Sequence, residues 1–432
     1  MSTDMQEPQD QQPQREEPQL DRVLIAALEQ IDATKYPNIE LSFLDALHSN
    51  DMEVWLGALN HFHQQTAGIR EALVSDSRFP GNTVLGFRIG LGGSQGFYPH
   101  KADQYLLRRA VQYGSVDKAV QWLLKVLGST EANGKLILAL WGVPVDEVIR
   151  LTDEVSIMPL ASLPQSDAKR RVSDSGHRAN IWTVNALAFA PPTSALVVER
   201  KLVPVVLDSN TPKPDDSDLK AKQEVMQEIA LVLTLVGPRV SLPLTTWFTF
   251  DDPDFEVASP TLSPMTEIVP TRPSDYPKLD AKEAKEVVKS YLDLSTKTRQ
   301  HIRVAVERIN QAQRRVNVGD RAVELATAFE ALVGDSDKNE MTHKVKVRTV
   351  RLIGGTPEQR QINAALVNKA YSIRSSLVHT GKVDEKSTDT IVGERVPVHA
   401  IVDRALMLCV ELTKILIRRK EIPKWHEFDI LG

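Results

Sequence analysis

Arg374 and His379 stand five residues apart in the stretch Tyr371-Ser372-Ile373-Arg374-Ser375-Ser376-Leu377-Val378-His379-Thr380-Gly381. Histidine titrates near neutral pH and can take or give a proton during a reaction. Arginine is always charged, and its fork of donors suits phosphate oxygens. Together they could cut a phosphodiester without a metal ion. In RNA the 2′-hydroxyl attacks the neighbouring phosphorus; His379 would carry the proton and Arg374 would stabilise the extra negative charge. DNA lacks that hydroxyl, so this chemistry implies RNA. Other pairs have comparable spacing. Arg170 and Arg171 precede His177, and Arg419 precedes His426. The first set sits in a Ser/Asp/Gly-rich loop and the second straddles Pro423, so neither belongs to one continuous helix.

The element that must position Arg374 is a helix. Thr356-Pro357-Glu358-Gln359 reads as a capping box with proline at the first helical position. The spacing predicts a helix from Pro357 to about Val378. Leu366, Ala370, Ile373 and Leu377 form one apolar stripe, with Val367, Tyr371 and Val378 beside it. Arg374 falls within the second stripe, which suggests a partly buried or interfacial face. His379 lies roughly 140° further around an ideal helix. One straight helix cannot aim both side chains at one point. The helix must end near His379 with Gly381 turning the chain, or a second subunit must complete the site. The plainer reading pairs Arg374 with an internal carboxylate such as Glu330 and makes His379 a helix C-terminal cap.

Residues from about Lys282 to Gly432 resemble the HEPN superfamily of small helical domains, in its ApeA-like branch. The matching parts are Arg321 to Val333 (RAVELATAFEALV), a following helix, and Tyr371 to Gly381 with its RSxxVHxG pattern. The resemblance implies a helical bundle that forms a homodimer. It also implies a metal-independent endoribonuclease in which Arg374 and His379 face their counterparts across the dimer axis. Ser375 matches the polar residue that usually follows the arginine. Tyr371 and Glu330 are expected to support the site. The branch more often has glycine directly after the histidine; here Thr380 intervenes before Gly381. Some members of the superfamily keep the fold without cutting RNA. The alternative is therefore a non-catalytic module binding RNA, a nucleotide or a partner protein, or an adaptor whose helical part only dimerises. Fusions of this kind resemble bacterial anti-phage defence or toxin effectors, in which an N-terminal region takes a phage-derived or other trigger.

Length and composition are consistent with this frame. At 432 residues, two domains are expected. A single cysteine, Cys409, lies in an apolar helical pattern, which excludes a disulfide framework or a cysteine-based zinc site and suits a cytoplasmic protein. No apolar run is long enough to span a membrane, and the Gln/Glu/Pro-rich start has no apolar signal core. From Lys282 onward there are 27 Lys and Arg against 20 Asp and Glu, and in the rest 25 against 37. The C-terminal part is the half suited to a polyanion, although a net charge of this size also fits an ordinary solvated face.

The expected fold class is α+β: a mixed α/β N-terminal region and a C-terminal all-α HEPN-like bundle. Residues 1–19 read as a disordered tail, 20–250 as the sensing domain, 251–280 as a linker or long loop, and 281–432 as the helical domain. Helices are predicted over Leu20–Ile31, Leu41–Leu47, Met52–His63, Ala102–Tyr113, Val116–Leu127 and Leu219–Leu235. Strand-like runs are Lys135–Trp141, Glu147–Leu160, Ile181–Ala190, Ala195–Leu207 and Leu244–Phe250. C-terminal helices are predicted over Ala281–Leu294, Thr298–Arg315, Asp320–Val333, Asn339–Ile353 and Pro397–Arg419.

Three weaker motifs complete the reading. His48, His61 and His63 lack an identifiable third convergent metal ligand. The glycine-rich Leu85–Gly96 (LGFRIGLGGSQG) has Gln95 where G-x-G-x-x-G needs glycine and lacks a P-loop lysine, so a hairpin or flexible loop is the better assignment. Pro214-Asp215 with Asp218-x-Lys220 faintly resembles a PD-(D/E)xK nuclease motif, but its halves are too close together. No cofactor and no metal are expected. Glu324 is expected as an exposed carboxylate or a structural ion pair.

Overall fold

The computed structural model describes residues 19–31, 64, 66, 68–90, 93–173, 191–212, 214–237, 239–258, 276–335 and 340–431. The predicted helices over 41–47 and 52–63, the strand over 181–190, most of the expected linker, and His48, His61, His63 and His177 lie outside them. The fold is α+β. Two compact units are present, and neither is continuous in sequence: residues 1–133, 201–214 and 250–258 form the first, and 134–200, 215–249 and 259–432 the second. The stretch 20–250 thus contributes to both.

In the first unit, α1 (Gln19–Gln30), α2 (Ile69–Ser75), α3 (Ala102–Tyr113) and α4 (Val116–Leu127) accompany a small sheet. Gly114 ends α3 at φ +59°, and the Ser115 hydroxyl accepts from Lys118 N at 3.3 Å to start α4. The glycine-rich run is an antiparallel hairpin of β1 (Leu85–Gly90) and β2 (Gly93–Tyr98), with Val206–Asp208 (β7) on the other side of β1. Gly86 is required there, because a Cβ would lie 2.8 Å from the Gln95 carbonyl oxygen. Phe87 packs against Phe97 and Phe255 at 4.7 and 5.9 Å between ring centres.

The second unit contains a five-stranded sheet. Its order is β4 (Ile149–Arg150), β5 (Val155–Pro159), β6 (Ser194–Leu202), β3 (Ala132–Trp141), β8 (Leu242–Phe250). Every residue of β3 from Leu136 to Trp141 is buried, which explains its unbroken apolar run. α5 (Asp167–Ser173) sends Ala168 and Val172 into a cluster with Ile137, Ala139, Val197 and Trp247.

The same unit contains α6 (Ser217–Val232) and the helices α7 (Ala281–Leu292), α8 (Thr296–Arg314), α9 (Val318–Val333), α10 (Met341–Ile353), α11 (Pro357–Thr380), α12 (Val398–Arg419) and α13 (Trp425–Leu431). α9 is the hub and touches α8, α10, α11 and α12. Its buried Ala322, Leu325, Ala326, Ala328, Phe329, Leu332 and Val333 cover most of its circumference, as a central helix requires. α12 buries the predicted stripe of Ile401, Val402, Ala405, Leu408, Cys409 and Leu412. α6 packs against α7 and α8. There Tyr291 Oη donates to Glu228 at 2.5 Å, and the buried Asn310 amide donates to Thr234 Oγ1 at 2.8 Å and to the Ser241 carbonyl at 2.9 Å.

The C-terminal stretch is not all helix. Strands β9 (Thr388–Ile391) and β10 (Glu394–Pro397) form an antiparallel hairpin between α11 and α12. Its two turn residues, Val392 and Gly393, both have positive φ (46° and 86°), the geometry of a type I′ turn. β-branched valine rarely adopts that conformation, so the sequence carries no Asn-Gly or Asp-Gly signal there. The short α13 also went unpredicted.

Candidate functional site

α11 starts and stops where its sequence requires. The Thr356 hydroxyl accepts from Gln359 N at 3.3 Å, with Pro357 in the first turn. Gln359 does not close the expected capping box; its amide donates instead to Asn363 Oδ1 at 3.2 Å. At the other end Gly381 adopts φ +68°, and its N–H bonds the Leu377 carbonyl. Thr380, the residue that departs from the family pattern, bonds its hydroxyl to the Ser376 carbonyl at 2.6 Å. The helix therefore runs unbroken through both Arg374 and His379 and ends directly after the histidine.

This continuity fixes directions. Arg374 and His379 leave the axis roughly 140° apart, so one copy of α11 does not converge them. Arg374 is half-buried, and His379 is exposed. Neither forms a hydrogen bond or ion pair among the described residues. Glu330 is therefore not the partner of Arg374. Ser372, Ser375, Ser376 and His379 share an exposed polar face, and Val378, 61% exposed, follows Arg374 by one turn.

Tyr371 takes the position beside Glu330. Its hydroxyl lies 3.2 Å from Glu330 Oε1 and 3.3 Å from the Ala326 carbonyl, joining α11 to α9. Burial raises the Tyr371 phenol far above its ordinary range. The Glu330 charge adds to that shift, and the Arg374 cation opposes it. Tyr371 thus keeps its proton at neutral pH and donates a hydrogen bond to Glu330, which holds the face through Tyr371. Close packing brings α9 under the end of α11: a Cβ on Gly319 would meet Val383 Cγ2 at 2.9 Å and Leu377 Cδ2 at 3.1 Å. Glu385, just past the helix end, accepts from Val318 N at 3.0 Å. Exposed Lys382 and Lys386 lie in the same loop.

The other sequence candidates are accounted for structurally. Glu324 is buried between α8 and α9, with Arg308 at 3.1 Å and Arg315 at 2.8 Å, a structural ion pair. Asp218 pairs with Arg200 at 3.0 Å. Arg419 ends α12 and His426 lies on α13, so they belong to different helices. Cys409 is buried, which pushes its thiol up out of the reactive range. Among the described residues no three His, Cys, Asp or Glu side chains cluster as metal ligands would, and no helix is long and apolar enough to cross a membrane. No family model, curated protein or solved structure matches the chain.

Proposed function

We propose that this chain is a metal-independent endoribonuclease of HEPN type, with its site completed by two copies of α11. A single observation carries this reading. An arginine and a histidine sit in the last two turns of one helix, unpartnered among the described residues, beside an exposed polar face. A structural arginine or histidine is ordinarily held by an acceptor; these two are left available for a ligand or a second subunit. Two copies related by a two-fold axis would supply two guanidinium and two imidazole groups, which removes the need for convergence within one helix.

In this reading Arg374 binds the non-bridging phosphate oxygens and His379 takes the proton of the 2′-hydroxyl. The P–O5′ bond then breaks, leaving a 2′,3′-cyclic phosphate and a protonated 5′-oxygen. Lys382 and Lys386, exposed after the end of α11, attract the strand beyond the scissile phosphate in this reading. Tyr371 and Glu330 hold the helix face. The N-terminal α/β region takes the trigger, which in a defence or toxin role would be phage-derived.

The test is RNA cleavage by the whole chain with and without EDTA. Activity that persists in EDTA, yields cyclic-phosphate ends and vanishes in both Arg374→Ala and His379→Ala supports the proposal. A strict magnesium requirement rules the mechanism out. The divergence of the two side chains within one helix also favours a second reading, a non-catalytic RNA-, nucleotide- or protein-binding module. That reading predicts that His379→Ala keeps function while Arg374→Ala loses it.

A further inference from the structure

A cleft of about 440 Å³ opens between α6, the segment leading into β8, and α8. None of its lining residues belongs to α11, so it is distinct from the Arg374–His379 face. Its volume lies in the range of small-molecule sites. We propose that this cleft binds a nucleotide, with the base at Asn310, the ribose at Glu307 and the phosphate at Arg303.

One buried polar atom of the cleft lacks a partner, and a second polar atom faces it with an open acceptor. Asn310 is 4% exposed, and both protons of its amide are spent on Thr234 and Ser241. The carbonyl Oδ1 accepts no bond among the described residues and belongs to a cleft-lining side chain. Ser241, another lining residue, is 1% exposed, and its hydroxyl has no partner. Buried polar atoms are ordinarily satisfied, so the Ser241 hydroxyl, beside the open acceptor of Asn310, points to something that satisfies it. With the amide fixed by two bonds, Asn310 offers an acceptor in one orientation, which suits the N–H of a base edge. Leu231 and Pro243 line the same cleft and supply apolar contact for a planar ring.

Arg303, Glu307 and Asn310 follow one another at four and three residues on α8, and all line the cleft. Their backbone positions therefore succeed one another at about one-turn intervals, and the guanidinium folds onto the carboxylate one turn along. Phosphate, ribose and base follow one another in the same order in a mononucleotide. Arg303 is already oriented: its Nε donates to Glu307 Oε1 at 2.8 Å and its Nη1 to Glu228 at 2.7 Å. Three of its five N–H donors remain for phosphate oxygens. Glu307 keeps its second carboxylate oxygen for a ribose hydroxyl, a pairing acidic side chains make in nucleotide sites.

The experiment is isothermal titration of the whole chain with AMP, CMP, GMP and UMP, with adenosine and ribose 5-phosphate as controls. It is repeated in the Arg374→Ala chain so that binding at the other face is separated. At least one nucleotide is expected to bind, unchanged by Arg374→Ala. Its affinity should fall tenfold or more in Glu307→Gln. Arg303→Ala should abolish the advantage of AMP over adenosine, and thermal melting of both variants should confirm that they fold. Three outcomes overturn the proposal: no nucleotide binds, ribose 5-phosphate binds as well as the nucleotide, or Glu307→Gln leaves affinity unchanged.

Discussion

The hydroxyl of Tyr371 lies 3.2 Å from Glu330 Oε1, one helical turn before Arg374. The carboxylate that the sequence offers as a partner for the arginine accepts from a phenol instead. A neutral donor replaces a cation, and the guanidinium keeps its charge for another ligand.

Tyr371→Phe should therefore lower stability by about 1 kcal/mol, the usual cost of one neutral hydrogen bond whose acceptor stays partly buried. Urea unfolding measures it. An unmoved midpoint would show that the contact between α11 and α9 rests on packing alone.

Arg374→Lys keeps the charge and loses the planar fork. RNA cleavage should fall by roughly 100-fold, because a point charge does not reproduce bidentate phosphate binding. The melting temperature should shift by only about 1 °C, since no described residue bonds the side chain. Initial cleavage rates alongside a melting curve separate the two effects. A large loss of stability would show that Arg374 braces the fold.

Arg348 clamps α13. It is 1% exposed and bonds Asp429 at 2.6 Å, Asp335 at 2.7 Å and the Val333 carbonyl at 2.7 Å, with its guanidinium carbon 4.9 Å from the Trp425 ring centre. The hydrogen bonds from Arg348 hold both carboxylates below their ordinary 3.8. A pKa depressed in the folded state gives stability that is complete above the unfolded value and lost as pH falls through the folded one. Asp429→Asn should therefore melt below the parent at pH 6, and the gap should close as pH drops below about 3.8. A gap of the same size at pH 3 would contradict this assignment.

Gly142 has φ +81°, and a Cβ there would lie 1.8 Å from the Val240 carbonyl oxygen. Gly142→Ala should cost on the order of 3 kcal/mol or more, from left-handed strain together with a backbone clash. Chemical denaturation measures it, and a cost below about 1 kcal/mol would mean that the two segments separate freely.

Much of the C-terminal helical pattern was legible because its signals are local. Thr356-Pro357 starts α11, Gly381 ends it, and the α12 stripe repeats at helical spacing. In the first unit, Gly114-Ser115 separates α3 from α4 as read. What stayed hidden depends on contacts distant in sequence. Glu330 was legible as a candidate, but not that Tyr371, 41 residues on, would claim it. The β9–β10 hairpin turns on Val392-Gly393, a pair with no turn signature. The α6–α8 cleft joins positions more than 60 residues apart, and its lining amides resemble any solvated helix face in one dimension.

Tyr291 and Asn310 send their polar ends to Glu228, Thr234 and Ser241, all well upstream of residue 281. A polypeptide trimmed to the helices after that point would lose these three bonds and open to water the faces of α7 and α8 that α6 covers. The smallest independently folding piece that carries Arg374 and His379 therefore reaches back at least to α6, and truncations meant to isolate the activity should be planned on that scale.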